Sequence, residues 1–251
     1  MSTGREIAVG GMEVFPINVI QRFRRQALAI RQTLRNRGPH EWCRAHFDAE
    51  ALIAVFPPLS LRPGYRLLTY LFHSNGNGNG RVVAFPQGSD VYRSAAAVPA
   101  WTPISCAPGE EDGAIWPMEV IDGDGSALSY LSASLLMREF GEVGAEWHGV
   151  HWDEEQVLAP GTSIRGNWSN AGRFRSLRTV LNDLAWTGDK PATKDLAPQV
   201  RIEADAVSVV LHTYSELGSE HVTRWTDTYV DGYAPACDHE EVAVGGPGFV
   251  F

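Results

Sequence analysis

The sequence predicts an α+β fold: a mostly antiparallel sheet built from hairpins, with about three helices packed on it. Three observations carry this expectation. Residues 65–73 and 81–85, YRLLTYLFH and RVVAF, are β-rich runs separated by SNGNGNG, and Asn-Gly between apolar runs is a strong hairpin signal. Residues 199–230 hold three further runs, QVRIEA, AVSVVLHTY and HVTRWTDTYV, the last two joined across Glu216-Leu217-Gly218-Ser219. Between these β-rich parts lies the longest helical pattern, residues 127–148. There Leu128, Leu131 and Leu135 repeat at helical spacing, and Leu136, Phe140, Val143 and Trp147 repeat one position on. Hairpins alternating with single helices favour antiparallel pairing.

Taken in order, residues 17–37 read as an amphipathic helix entered after Pro16 and stopped by Gly38-Pro39. Ile20, Phe23, Ala27, Ile30 and Leu34 form its apolar stripe; Arg22, Arg24, Arg25, Arg31 and Arg35 fill the remainder. Such a helix is either an arm for phosphate or a membrane surface, or a surface helix whose arginines pair with the protein's own acidic groups. The second reading is favoured, because the helix lacks interleaved aromatics. Residues 39–64 give a short helix in HEWCRAHFDAEALIAVF and then PPLSLRPG, whose prolines forbid regular structure. The SNGNGNG loop is longer than the ideal two-residue turn, and a phosphate cradle would need a helix after it, where a strand follows. Residues 86–117 form a long irregular connection. In the central helix, Gly141 and Gly144 mark a break or a place where another element packs close. Residues 172–186 read as a third helix, with Phe174, Leu177, Leu181 and Leu184 on one face and Ser169 or Asn170 as cap. The tail, DGYAPACDHEEVAVGGPGFVF, ends apolar and is expected to dock into a groove or lie on the surface.

At 251 residues the chain is read as one α+β domain over 1–251, with a possible seam within 86–117 and a basic helical segment over 1–46. The net charge of −9 is split: residues 1–46 carry eight Arg against three Glu, +5, and the remainder is −14. An acidic body argues against nucleic acid as partner. No apolar window approaches a membrane span, and the first residues lack the apolar core of a secretory signal. Cys43, Cys106 and Cys237 have no paired spacing, so a reduced, cytoplasmic protein is expected. Eight tryptophans supply core and binding surface.

The densest chemistry is AEWHGVHWDEE, where Glu146, His148, His151, Asp153, Glu154 and Glu155 fall together. Histidine and carboxylate are the usual ligands of divalent metals, which makes His148, His151 and Asp153 the candidate metal set. No single helix or strand gathers three of these on one face, so a third ligand would come from elsewhere, with His212, His221, Asp227, Asp238 and His239 available. As a catalytic group His148 is the foremost candidate, with Glu146, His151 or Asp153 as its closest helper.

Asp122-Gly-Asp124-Gly-Ser126 precedes the central helix and suits a capping turn. A calcium loop would need Gly and Glu where Ala127 and Ala133 stand. The run also resembles the first motif of haloacid-dehalogenase-type phosphatases, an apolar strand followed by Asp-x-Asp-Gly-Thr/Ser. That resemblance implies Asp122 as nucleophile and Asp124 as general acid/base, with Asp189 and Asp195 near the family's magnesium-binding position. It covers about a dozen residues, and the strand carries Pro117. Enzyme or binding protein therefore stays open. The expectation is a non-catalytic binding or regulatory protein that engages a small molecule or protein partner through a Trp-rich surface and the long loop. The alternative is a metal-dependent hydrolase centred on His148 and His151, with Glu146 and Asp122 as catalytic carboxylates and an unidentified divalent cofactor.

Overall fold

Asn75 and Gly76 both have positive φ, 52° and 86°, the signature of the two-residue hairpin turn whose twist matches that of its strands. The long glycine-rich loop of the sequence is therefore no loop. The turn is tight, and the remaining Asn-Gly repeats belong to the returning strand, which pairs from Ser74↔Asn77 to Tyr65↔Pro86. The computed structural model describes residues 10–34, 42–88, 103–104, 106–166 and 174–249. Its elements in chain order are β1 (Gly11–Val14), α1 (Ile17–Arg31), β2 (Trp42–Ala45), α2 (Glu50–Ile53), β3 (Leu59–Leu61), β4 (Tyr65–Ser74) and β5 (Asn77–Pro86). Next come β6 (Pro103–Ile104), β7 (Ile121–Gly123), α3 (Ala127–Gly141), β8 (Gln156–Val157), β9 (Ser163–Arg165) and β10 (Phe174–Ser176). The rest are α4 (Leu177–Asp183), β11 (Ala185–Trp186), β12 (Gln199–Ile202), β13 (Val207–Ser215), β14 (Ser219–Tyr229) and β15 (Ala236–Pro247). Every pairing between these strands is antiparallel, so the fold is α+β with an antiparallel sheet.

The chain forms two units. One comprises residues 23–152 and 231–234, the other residues 1–22, 153–230 and 235–251. The seam expected within 86–117 falls largely on residues 89–102 and 105, outside the described residues.

In the first unit the sheet runs β5-β4-β2-β6. Leu68, Tyr70, Val83 and Phe85 enter one core cluster and Leu71, Cys43 and Ala45 another. A strand buried on both faces reads as a continuous apolar run instead of alternating, which accounts for the β character of YRLLTYLFH. Residues 42–45, expected to be helical, form β2 instead, and only Glu50–Ile53 of that stretch is helix. Helix α3 is buried nearly all round, with Leu131, Leu135 and Leu136 at 0% exposure. It begins at Ser126, whose hydroxyl accepts from Ser129 N–H. It ends at Gly141 and not at 148. Gly144 takes φ 74°, and a Cβ there would meet the Leu71 side chain at 2.3 Å, so both meanings given to these glycines hold. The arginine helix is tied in through buried groups. Arg31 Nε donates to Glu139 Oε2 at 2.9 Å with both side chains nearly inaccessible, and the Arg24 guanidinium stacks 4.1 Å above the Trp152 ring.

In the second unit the sheet runs β1-β12-β13-β14-β15-β11, with β8 also on β13. The hairpin of β13 and β14 forms as expected, in register from Val207↔Tyr229 to Ser215↔His221. The tail is the largest departure. Residues 236–247 make the longest strand among those described, inserted between β14 and β11. Its side chains are mostly exposed, so it carries little apolar alternation and reads in sequence as a loop. The third helix is shorter than expected, Leu177–Asp183, and Ser176 caps it; Ser169 and Asn170 lie outside the described residues. Phe174 sits in β10 and is 71% exposed. Leu177, Val180, Leu181 and Leu184 pack with Tyr214, Val222 and Ala243 of the sheet, which places the core between α4 and one face of β13–β15.

Candidate functional site

The residues singled out by sequence chemistry do not converge. His148 and His151 are both exposed, the first within a short turn over Trp147–Gly149 and the second just after it. Trp152 between them and the carboxylates is the buried anchor. Its indole N–H donates to Glu139 Oε1 at 2.9 Å, and the backbone N–H groups of His151 and Trp152 both donate to Glu142 Oε1. The segment is thus ordered by its tryptophan and a buried carboxylate, with the imidazoles left at the surface. Asp153 is exposed. Among the described residues no three His, Cys, Asp or Glu side chains come together to hold a metal ion.

Glu146 lies beside His73, 3.5 Å from Nε2 to Oε2. The two reach each other across Gly78, which pairs with His73 on one side and Glu146 on the other. Trp147 is held at φ 51° and is 60% exposed, and a Cβ on Gly149 would lie 2.0 Å from the Gly78 carbonyl oxygen. The hairpin and the 143–149 segment thus meet backbone to backbone.

Asp122 sits at the surface in a salt bridge to Arg62, 3.0 Å, which lifts the Arg62 pKa through its hydrogen bond. The Asp124 carboxylate accepts from the Ser126 hydroxyl and N–H. Although partial burial pushes its pKa up, those bonds outweigh it and hold the carboxyl below its ordinary value. Tyr233 closes the turn, accepting from Gly125 N–H and sharing a hydrogen bond with Ser129. The turn acts as a helix cap. Strand β7 before it pairs antiparallel with β3 alone among the described strands, unlike the parallel sheet that the phosphatase resemblance implies.

A hollow that the sequence did not signal lies in the second unit. Its volume is about 790 Å³, within the range of small-molecule sites. The edge strand β1 contributes Met12 and Val14, 54% and 49% exposed. The chain then turns through Phe15 and Pro16 into α1, which adds Ile17 and Asn18. Ala159 and Pro160 after β8, and Ala197 before β12, form the remaining apolar wall. Lys194, Asp195 and Gln199 supply the polar groups. Small residues make the hollow: Ala159 and Ala197 are buried at 1% and 3% exposure, where larger side chains would fill it. No periodicity reveals this. Met12 and Val14 are unremarkable in sequence, and their partners stand about 150 to 190 positions away.

No family model, no curated protein and no solved structure matches the chain. The chemistry of these sites rests on their own residues.

Proposed function

We propose that the chain is a non-catalytic binding protein whose ligand is a small amphipathic molecule, held in the apolar hollow beside β1. One observation supports the reading above others: two large apolar side chains on the edge strand face solvent beside a hollow of about 790 Å³ whose floor is alanine and phenylalanine. Exposed apolar surface gathered at a concavity marks a ligand site more often than scattered exposure does. Methionine adapts its unbranched chain to ligands of different outline. Lys194 on the wall gives an anionic head group a partner, and Gln199 gives a neutral one. The wall is mostly aliphatic and proline, which suits retention of a ligand and offers little to acid–base chemistry.

The test is a fluorescence titration with anilinonaphthalene sulfonate, followed by displacement with decanoate. Saturable one-site binding is expected, weakened at least ~10-fold by Met12→Asp with Val14→Asp, since ~1.4 kcal/mol corresponds to tenfold. Both positions are exposed, so the variant keeps its core. Non-saturable binding, or equal affinity in the double variant, would overturn the reading.

A further inference from the structure

A second, smaller pocket lies in the same unit and is polar where the first is apolar. The sheet face that carries Tyr214, Val222 and Ala243 into the core continues one step along each strand. There His212, Arg224 and Glu240 stand in register across β13, β14 and β15. Helix α4 ends before it covers this row. The chain instead passes through Trp186 and the 187–191 turn, which forms the opposite wall of a pocket of about 280 Å³.

His212 is the group without an internal explanation. It is 8% exposed, and its ring bonds to the Leu196 backbone. Among the described residues its Nδ1 meets no hydrogen-bond partner. Burial takes its pKa down to about 4, so at neutral pH the ring is uncharged and Nδ1 is a bare acceptor. A buried acceptor without a donor is unfavourable, and a ligand hydroxyl supplies the missing donor. The rest of the pocket is matched to the same kind of group. Arg224 donates to Glu240 Oε2 at 2.8 Å, and a guanidinium has five N–H donors to share. Asp189 adds a carboxylate, and the Trp186 indole N–H is already committed to the Leu181 carbonyl, leaving its ring as apolar wall.

We propose that this pocket binds a small neutral polyol of one-ring size, a monosaccharide or cyclitol. Hydroxyl groups both donate and accept. One ligand therefore satisfies His212 Nδ1 and the Asp189 carboxylate as donor, takes a bond from Arg224 as acceptor, and lays its C–H face on Trp186. An anion would meet Asp189 and Glu240, and a cation would meet Arg224. The volume lies below that of drug-sized sites and admits a single ring.

The experiment is a heteronuclear NMR titration of the full chain with glucose, galactose, mannose and myo-inositol, each to ~50 mM, with adenine as a planar control; weak sites of this kind fall near millimolar Kd. Saturable shifts are expected with at least one polyol. Affinity should fall at least ~10-fold in both Gly188→Val and His212→Asn. A Cβ at Gly188 meets nothing within 4 Å, so valine fills the pocket without disturbing the fold, while asparagine keeps a small polar group at 212. Binding of anilinonaphthalene sulfonate in the larger hollow should be unchanged in Gly188→Val, which separates the two sites. No saturable polyol shift, adenine binding in its place, or unchanged affinity in either variant overturns the proposal.

Discussion

His212 shows how a single residue ties stability to pH. In the folded chain, burial holds its pKa near 4, against an ordinary value of 6.5. Arg224, directly opposite on β14, pushes in the same direction; Glu240 and Asp189 are the carboxylates lining the same pocket. Above pH 6.5 the ring is neutral folded or unfolded, and its titration adds nothing. As pH falls from 6.5 toward 4 the unfolded chain takes up a proton that the folded chain refuses, so stability is lost across that window, by about 3 kcal/mol at its foot. Denaturant unfolding at pH 7 and pH 4.5 should therefore show a steeper loss for the native chain than for His212→Asn. Parallel losses in the two would show that the imidazole is not the source. The residue was visible in sequence only as one of several distant histidines. Its surroundings come from the 186–191 turn and Leu196 as well as from β13 and β14, and no local pattern encodes that.

Among the elements, the legible ones were those whose local pattern and tertiary role agree. The β13–β14 hairpin and helix α3 have apolar residues at the spacing their burial requires; the hairpin forms where the pattern places it, and the helix begins there but stops at Gly141. The misread ones are governed by a neighbour. SNGNGNG reads as a loop because glycine is poor in strands, yet Gly78 and Gly80 are strand residues, and the missing side chain of Gly80 admits the 143–149 backbone. A Cβ on Gly80 would lie 1.9 Å from the Val143 carbonyl oxygen. Two substitutions separate turn from contact. Gly76→Ala should cost about 1–2 kcal/mol through its positive φ alone. Gly149→Ala should cost at least about 2 kcal/mol, since it breaks the paired bonds between Gly78 and Glu146. It should also shift the Trp147 fluorescence, which Gly76→Ala leaves alone. Equal spectra in the two variants would refute this division. Less of the candidate site than of the fold is legible in the sequence. Helix capping at Ser126 was readable from Asp-Gly-Ser, whereas both hollows are made by residues far apart in the chain.

For the whole molecule the charge split has a structural resolution. Arg31 and Arg24, two of the residues that make the N-terminal segment basic, are spent on Glu139 and on Trp152. The remaining surface is dominated by a body of net −14. Duplex DNA should not bind appreciably at physiological salt, because an acidic body opposes close approach of a polyanion and salt screens what attraction the arm exerts beyond about 8 Å. A salt-titrated anisotropy assay checks this; micromolar binding abolished by Arg22→Glu with Arg25→Glu would contradict it. No described helix is long and apolar enough to cross a membrane. The division into two units was not legible, because each is assembled from segments distant in sequence, and hydrophobic periodicity is silent on which strand sits beside which.

The position of β15 bears on how the protein is made. It is not an edge strand: β14 flanks it on one side and β11 on the other. While a ribosome is still short of residue 236, an emerging chain has β14 with a bare edge eleven residues long and β11 with nothing to pair. Strand β1, synthesised near the start, waits for β12 almost two hundred residues later. Pairings over such separations form slowly, and unpaired edges invite association with other chains. The sheet of the second unit is therefore complete only after translation has passed its last strand, and until then its folding stays open to competition from other chains.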